Sequence, residues 1–209
     1  MSYDHVTKER QVAAPKKIVS IPLFHRDENY ACSTACVAAV LQYYCDDSEE
    51  SEEKLNDLLQ ATNKLEMGVD QMVSYINQVK YDKNDSWCLI SADLKCYMTI
   101  CDLMADIDKN IPVICPIQAW YNDPDGNLDE QHDYKEEQAC GHYVVAVGYD
   151  AEKIYFMDPA AADTYSYIPI REFDARWHEI EDGKEYNRCG IEVVVHRMKQ
   201  DVVWVYKIL

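Results

Sequence analysis

Glycine is scarce in this chain, with six in 209 residues and none of them grouped. A phosphate cradle needs clustered glycines so that backbone N–H groups can approach the anion, and nucleotide binding of that kind has no support here. No apolar run approaches the ~18 residues of a membrane span, and the N-terminus MSYDHVTKERQVAAPKKIVS lacks the apolar core of an export signal. The expectation is a soluble, cytoplasmic protein that stays where it is made. Basic residues are in deficit, 20 Lys and Arg against 38 Asp and Glu, for a formal net charge of -18. That sign disfavours nucleic acid and anionic membranes, and it suits either simple solubility or a basic or neutral polypeptide partner. Structural zinc is also disfavoured, because no Cys-x-x-Cys pair occurs. A metal site drawn from His132, Cys140 and His142 therefore has little behind it.

Cysteine itself is plentiful, at nine. The number is odd and no export signal accompanies it, so a disulfide framework is disfavoured and most thiols are expected to be reduced. Cys88, Cys96, Cys101, Cys115 and Cys189 sit in apolar company and read as buried small hydrophobes.

No linker composition divides the chain, and the expected organisation is one domain over residues 1–209, with 1–15 a loosely ordered tail. KKIVSIPLF reads as a strand. Ala35, Cys36, Ala39, Val40 and Tyr43 recur at helical spacing, DDSEESEEKLNDLLQATNK reads as a second helix, and GVDQMVSYINQV as a third. WCLISA is a short strand, DLKCYMTICDLMADIDKN a helix, and IPVICPIQAW a buried strand in which Pro116 signals a bulge or an edge. The acidic stretch from Tyr121 to Ala139 is a loop that stands before HYVVAVGYD and KIYFMDP, a hairpin pair. IREFDARWHEI is helix-like, and IEVVVHRM and DVVWVYKIL suggest a closing hairpin. Helices first and an antiparallel sheet second make the class α+β.

Chemistry concentrates at three places. Cys32 falls at a helix start, where free N–H groups and the helix dipole stabilise a thiolate, whereas Cys36 lies one turn inside on the apolar face. A redox pair of the two is disfavoured because their spacing buries the second sulfur. A nucleophilic cysteine needs a base and a group to orient it. His142 opens the first strand of the hairpin and Asp158 ends the second, so antiparallel pairing brings both to one end of the sheet. Trp177 and His178 either wall a cleft or serve the core.

CSTAC at a helix start, GHYVVAVGYD, and IYFMDP with the aspartate sixteen residues after the histidine together resemble the papain-like cysteine peptidases of the bacteriocin-processing, double-glycine-leader type, and especially their stand-alone relatives. REFDARWHEI is similar to a segment that follows the aspartate in some of those relatives. The resemblance spans about Ile21 to Ile180. It implies a papain-like fold with N-terminal helices packed on a mostly antiparallel sheet. It further implies Cys32 as nucleophile, His142 as general base and then acid, and Asp158 as orienter, with no metal or organic cofactor. One position departs from the family. Six residues before the nucleophile a glutamine usually donates to the oxyanion, and here that residue is Arg26, which either donates in its place or pairs with Asp27 or Glu28. The implied activity is hydrolysis of a peptide or isopeptide bond in a peptide or protein substrate, which the charge suggests is basic. Deamidation or transamidation by the same triad, and a catalytically weak binding module of the same fold, are the alternatives.

Overall fold

The computed structural model describes residues 15–24, 32–44, 67–83, 86–120, 132–161 and 164–197. The expected second helix, the N-terminal tail up to residue 14, Arg26, the acidic loop up to residue 131 and the strand DVVWVYKIL all lie outside them.

Among the described residues ten strands follow in chain order: β1 (Lys17–Ile18), β2 (Lys80–Lys83), β3 (Ser86–Lys95), β4 (Val113–Gln118), β5 (Gly141–Tyr149), β6 (Lys153–Met157), β7 (Ser166–Pro169), β8 (His178–Glu181), β9 (Lys184–Asn187) and β10 (Gly190–Arg197). One sheet runs β2-β3-β10-β4-β5-β6-β7, with β1 pairing the far end of β5, and β8 and β9 form a separate hairpin. Every pairing among the described residues is antiparallel. Four α-helices accompany them among the described residues: α1 (Cys32–Tyr44), α2 (Val69–Ile76), α3 (Ile100–Asp108) and α4 (Ile170–Arg176). The class is α+β with a mostly antiparallel sheet, as the sequence order suggests.

β5 is the strand on which the architecture turns. Its residues from His142 to Tyr149 are all buried, which explains why HYVVAVGY reads as a continuous apolar run instead of an alternating one. Val145, Val147 and, across the hairpin, Phe156 are each shielded from solvent, worth roughly 1.5–3 kcal/mol apiece. The β5–β6 turn is set by Asp150, whose Oδ1 accepts from the N–H groups of Glu152 and Lys153 at 2.7 and 2.8 Å. That turn fixes the register Val145 opposite Met157 and Ala146 opposite Phe156. Gly148 stands beside the bulge in this ladder, and a Cβ there would come within 2.6 Å of the Lys17 carbonyl oxygen, so only glycine lets β1 pair with β5.

α1 is buried over its first ten residues, Cys32 to Leu41. The spacing predicts a one-sided helix, but a run of Ser, Thr, Ala, Cys and Val offers no bulky polar side chain to any face, so it lies wholly in the core and packs on β5.

Several elements differ from the sequence expectation. The helix predicted from Asp93 begins at Ile100, because Asp93 to Lys95 complete β3 against Gly190 to Glu192 of β10. A capping box explains the start: Thr99 Oγ1 accepts from the Asp102 N–H at 3.2 Å, and Asp102 Oδ2 accepts from the Thr99 N–H at 2.8 Å. IREFDARWHEI splits into α4 and β8 around Trp177, which stacks on Phe173 with ring centroids 4.8 Å apart and donates Nε1–H to the Cys189 carbonyl, so it belongs to the core. Pro116 lies in β4 where β10 no longer pairs with it, beyond Ile114, so the strand is locally an edge as the proline signals. Cysteine usage needs two corrections. Cys96 and Cys189 form a disulfide, because the β3–β10 ladder that pairs Lys95 with Gly190 brings the next residues face to face. Cys101 is exposed, on the solvent side of the first turn of α3.

Candidate active site

The antiparallel β5–β6 hairpin puts His142 and Asp158 at one end of the sheet, and their side chains meet there. His142 Nε2 lies 2.8 Å from Asp158 Oδ1, with both residues buried. The aspartate is itself held in place. Oδ1 accepts from the Ala160 N–H at 2.9 Å in a local turn, and Oδ2 accepts from the Ser166 hydroxyl at 3.5 Å. Because Nε2 is committed to Asp158, Nδ1 is the nitrogen left for a partner on the other side of the ring. Cys32, the first residue of α1, is near enough to the ring to raise its pKa.

The electrostatics of the histidine follow from these neighbours. Burial alone would lower its pKa, but the Asp158 charge, the hydrogen bond to Asp158 and the nearby Cys32 outweigh it and push the value up from 6.5 to about 9. At neutral pH the ring is then an imidazolium, with both ring N–H groups donating. Trp120 lies with its ring against that of His142, the centroids 4.4 Å apart. Its backbone is left-handed, with φ of 52°, a conformation a bulky residue adopts only when its surroundings enforce it.

Cys32, His142 and Asp158, singled out in the sequence, are thus brought together. Arg26 lies outside the described residues. Cys36 is buried, and neither it nor Cys32 is in a disulfide, so the two are not joined. His132 Nε2 bonds to Glu137 at 3.0 Å and His142 Nε2 to Asp158 at 2.8 Å. Among the described residues no group of His, Cys, Asp and Glu is arranged to hold a metal ion. His178 bonds to the Glu137 carbonyl oxygen at 2.8 Å, behind the strand that bears His142. An open cavity of about 430 Å³ beside it, bordered by Tyr97, Lys135 and Arg188, contains none of the three clustered residues.

Sequence reasoning missed Trp120, Gln118 and the two glutamates of β8. Gln118 carried a signal, being the one strongly polar residue in the apolar run IPVICPIQAW. It is buried, its Oε1 accepts from the Cys140 N–H at 3.0 Å, and its Nε2 donates to Glu179 Oε2 at 3.1 Å. It anchors the backbone just before His142.

The model of the family described as "Peptidase_C39 like family" matches residues 11–185. Among solved structures, the chain is similar to a putative C39-like peptidase from Bacillus anthracis, with a TM-score of 0.55 and 13% sequence identity, covering 88% of this chain and 100% of that one. It also aligns with a double glycine motif protease from an AMS/PCAT transporter in complex with the leader peptide, with a TM-score of 0.44 and 15% identity, over 88% of this chain and 96% of that one. At such identities the first likeness concerns the fold alone. No curated protein matches. No helix among the described residues is long and apolar enough to cross a membrane.

Proposed function

The chain belongs to the Peptidase_C39-like family, and on that footing we propose that it is a cysteine peptidase acting through Cys32, His142 and Asp158. The observation that carries this reading is the buried 2.8 Å contact between His142 and Asp158, on a ring whose pKa is also raised by the nearby Cys32. The raised pKa of His142 refines the order of events. With His142 protonated, the attacking form is the Cys32 thiolate, which the neighbouring imidazolium charge favours.

In the reaction, the Cys32 sulfur attacks a peptide or isopeptide carbonyl carbon and forms the C–S bond of a tetrahedral adduct. Collapse of the adduct expels the amine, which takes the proton from His142 Nδ1 and leaves a thioester. Neutral His142 then accepts a proton from water as the water oxygen attacks the thioester carbonyl. The acid is released and the thiolate–imidazolium pair is restored. Asp158 holds the ring in one orientation and stabilises its charge throughout. The N–H of Cys32 at the start of α1 supplies one oxyanion donor, and Arg26 the second. The net charge of -18 suits a basic peptide or protein segment as substrate.

The test is digestion of a proteome-derived peptide library, with product termini read by mass spectrometry. Cleavage by the wild type and none by Cys32→Ala supports the reading; cleavage that persists in Cys32→Ala overturns it. Arg26 in place of the family glutamine favours a second reading, a binding module of the same fold with weak chemistry. Retention of unmodified peptides by the wild type, with no new termini, supports that module. Deamidated or amine-linked products would instead assign the same acyl-enzyme to deamidation or transamidation.

A further inference from the structure

The β8–β9 hairpin carries no member of the proposed triad, yet it is tied to both sides of it. Side chains on β8 alternate, so Glu179 and Glu181 project to the same side. In β5, Gly141 and Tyr143 flank His142 and face away from it, and it is these two that the glutamates meet. Glu179 Oε2 occupies the space a Cβ on Gly141 would need, while the Tyr143 hydroxyl donates to Glu181 Oε1.

Glu181 reaches further. Its Oε2 accepts from the Val69 N–H at 2.9 Å, at the first residue of α2, and it packs so closely there that a Cβ on Gly68 would lie 2.6 Å from that oxygen. Two residues earlier, the Met67 N–H donates to Ser33 Oγ at 3.0 Å, and Ser33 is the buried neighbour of Cys32. A continuous polar path therefore runs from the residue after Cys32, through Met67 and Val69 and the Glu181 carboxylate, to the residue after His142. Helix α1 and strand β5 are far apart in sequence, and this path joins their reactive ends without passing through the reacting atoms.

We infer that Glu181 is a positioning residue, whose carboxylate sets the separation of Cys32 and His142 by bridging Tyr143 to the Val69 N–H. The inference rests on the peptidase reading, since a separation matters only if the thiol and the ring act together. Both oxygens are in use, so neutralising or shortening the side chain releases one arm or both. A shift of about 1 Å between reacting groups costs on the order of 10²-fold in rate.

The experiment is Cys32 alkylation by iodoacetamide between pH 5 and 10, read by peptide mass spectrometry. It compares wild type, His142→Ala, Glu181→Ala, Glu181→Gln, Tyr143→Phe and the double variant Glu181→Ala/Tyr143→Phe. Glu181→Ala is expected to slow Cys32 at pH 6 by ~10- to ~100-fold and to bring its pH profile towards that of His142→Ala. Glu181→Gln keeps a carbonyl acceptor for Val69 and recovers part of the rate. Tyr143→Phe, which loses only a hydroxyl, acts in the same direction, and the double variant is no slower than Glu181→Ala. A purely structural role would lower the melting temperature and leave the pH profile below it unchanged, and that result overturns the inference. Should Glu181→Ala fail to fold, Tyr143→Phe decides alone: a wild-type profile overturns the inference. If wild-type Cys32 is itself unactivated and indifferent to His142→Ala, the peptidase reading falls instead, and the two failures are told apart.

Discussion

Replacing Asp158 by Asn removes one charge and preserves the shape of the site, which isolates what that charge does. In the wild type His142 is held at about 9 against an ordinary 6.5, although its burial acts to lower it. That difference corresponds to ~3 kcal/mol at roughly 1.4 kcal/mol per pH unit. Because the folded value lies above the unfolded one, protonated His142 contributes stability that is fully present below about pH 6.5. It is lost as pH rises through about 9. In Asp158→Asn the desolvation of the ring goes unopposed by the carboxylate, so His142 titrates lower and the alkaline loss of stability shrinks. The population of imidazolium facing Cys32 at pH 8 falls by up to ~10²-fold, and Cys32 reactivity falls with it. Two assays read this: NMR titration of the His142 ring, assigned by its disappearance in His142→Gln, and urea unfolding at pH 6, 8 and 10. An unchanged His142 midpoint in Asp158→Asn would refute the reasoning, as would a wild-type midpoint at or below 6.5.

Trp120→Ala admits water that screens the Asp158–His142 pair, and Cys32 alkylation should slow at pH 8, whereas Trp120→Phe should retain most of the rate. Gly141→Ala drives a Cβ into Glu179 Oε2 and should cost ~1–3 kcal/mol by urea unfolding, together with loss of Cys32 activation, because the strand must shift at the residue next to His142. Cys96→Ser opens a covalent link across 93 residues and should lower stability by about 2–4 kcal/mol in non-reducing buffer, with no difference from the wild type once dithiothreitol is added.

The proposed triad was legible because each member sits at a boundary that sequence marks well. Cys32 begins a run of small apolar residues, and His142 and Asp158 bracket two β-rich segments joined by a short turn. Antiparallel pairing does the rest, and the observed 2.8 Å contact follows from the register that Asp150 sets. What could not be read is whatever depends on the far side of the sheet. Glu179 and Glu181 lie in a stretch whose charge pattern resembles a solvated helix, and only the packing of β8 on β4 brings the buried Glu179 against Gly141 and the half-buried Glu181 to the Tyr143 hydroxyl. The Cys96–Cys189 bridge was hidden for a related reason. Its two partners are brought together by pairing of the long β3 with β10, and Leu94 suited a helical face well enough to disguise the end of β3. Thr99 and Asp102 held the true helix start, since a threonine followed three residues later by an acid is a capping signal. The charge imbalance carried no information about the site.

The most direct test of the central claim is the alkylation rate of Cys32 relative to Cys101 at pH 6, in wild type and His142→Ala. Access alone favours Cys101, which is exposed, over Cys32, which is only 4% exposed. The account predicts the inverse order in the wild type, because Cys32 faces an imidazolium, and a return to the order of exposure in His142→Ala. Cys101 labelling faster than Cys32 in both proteins would contradict it.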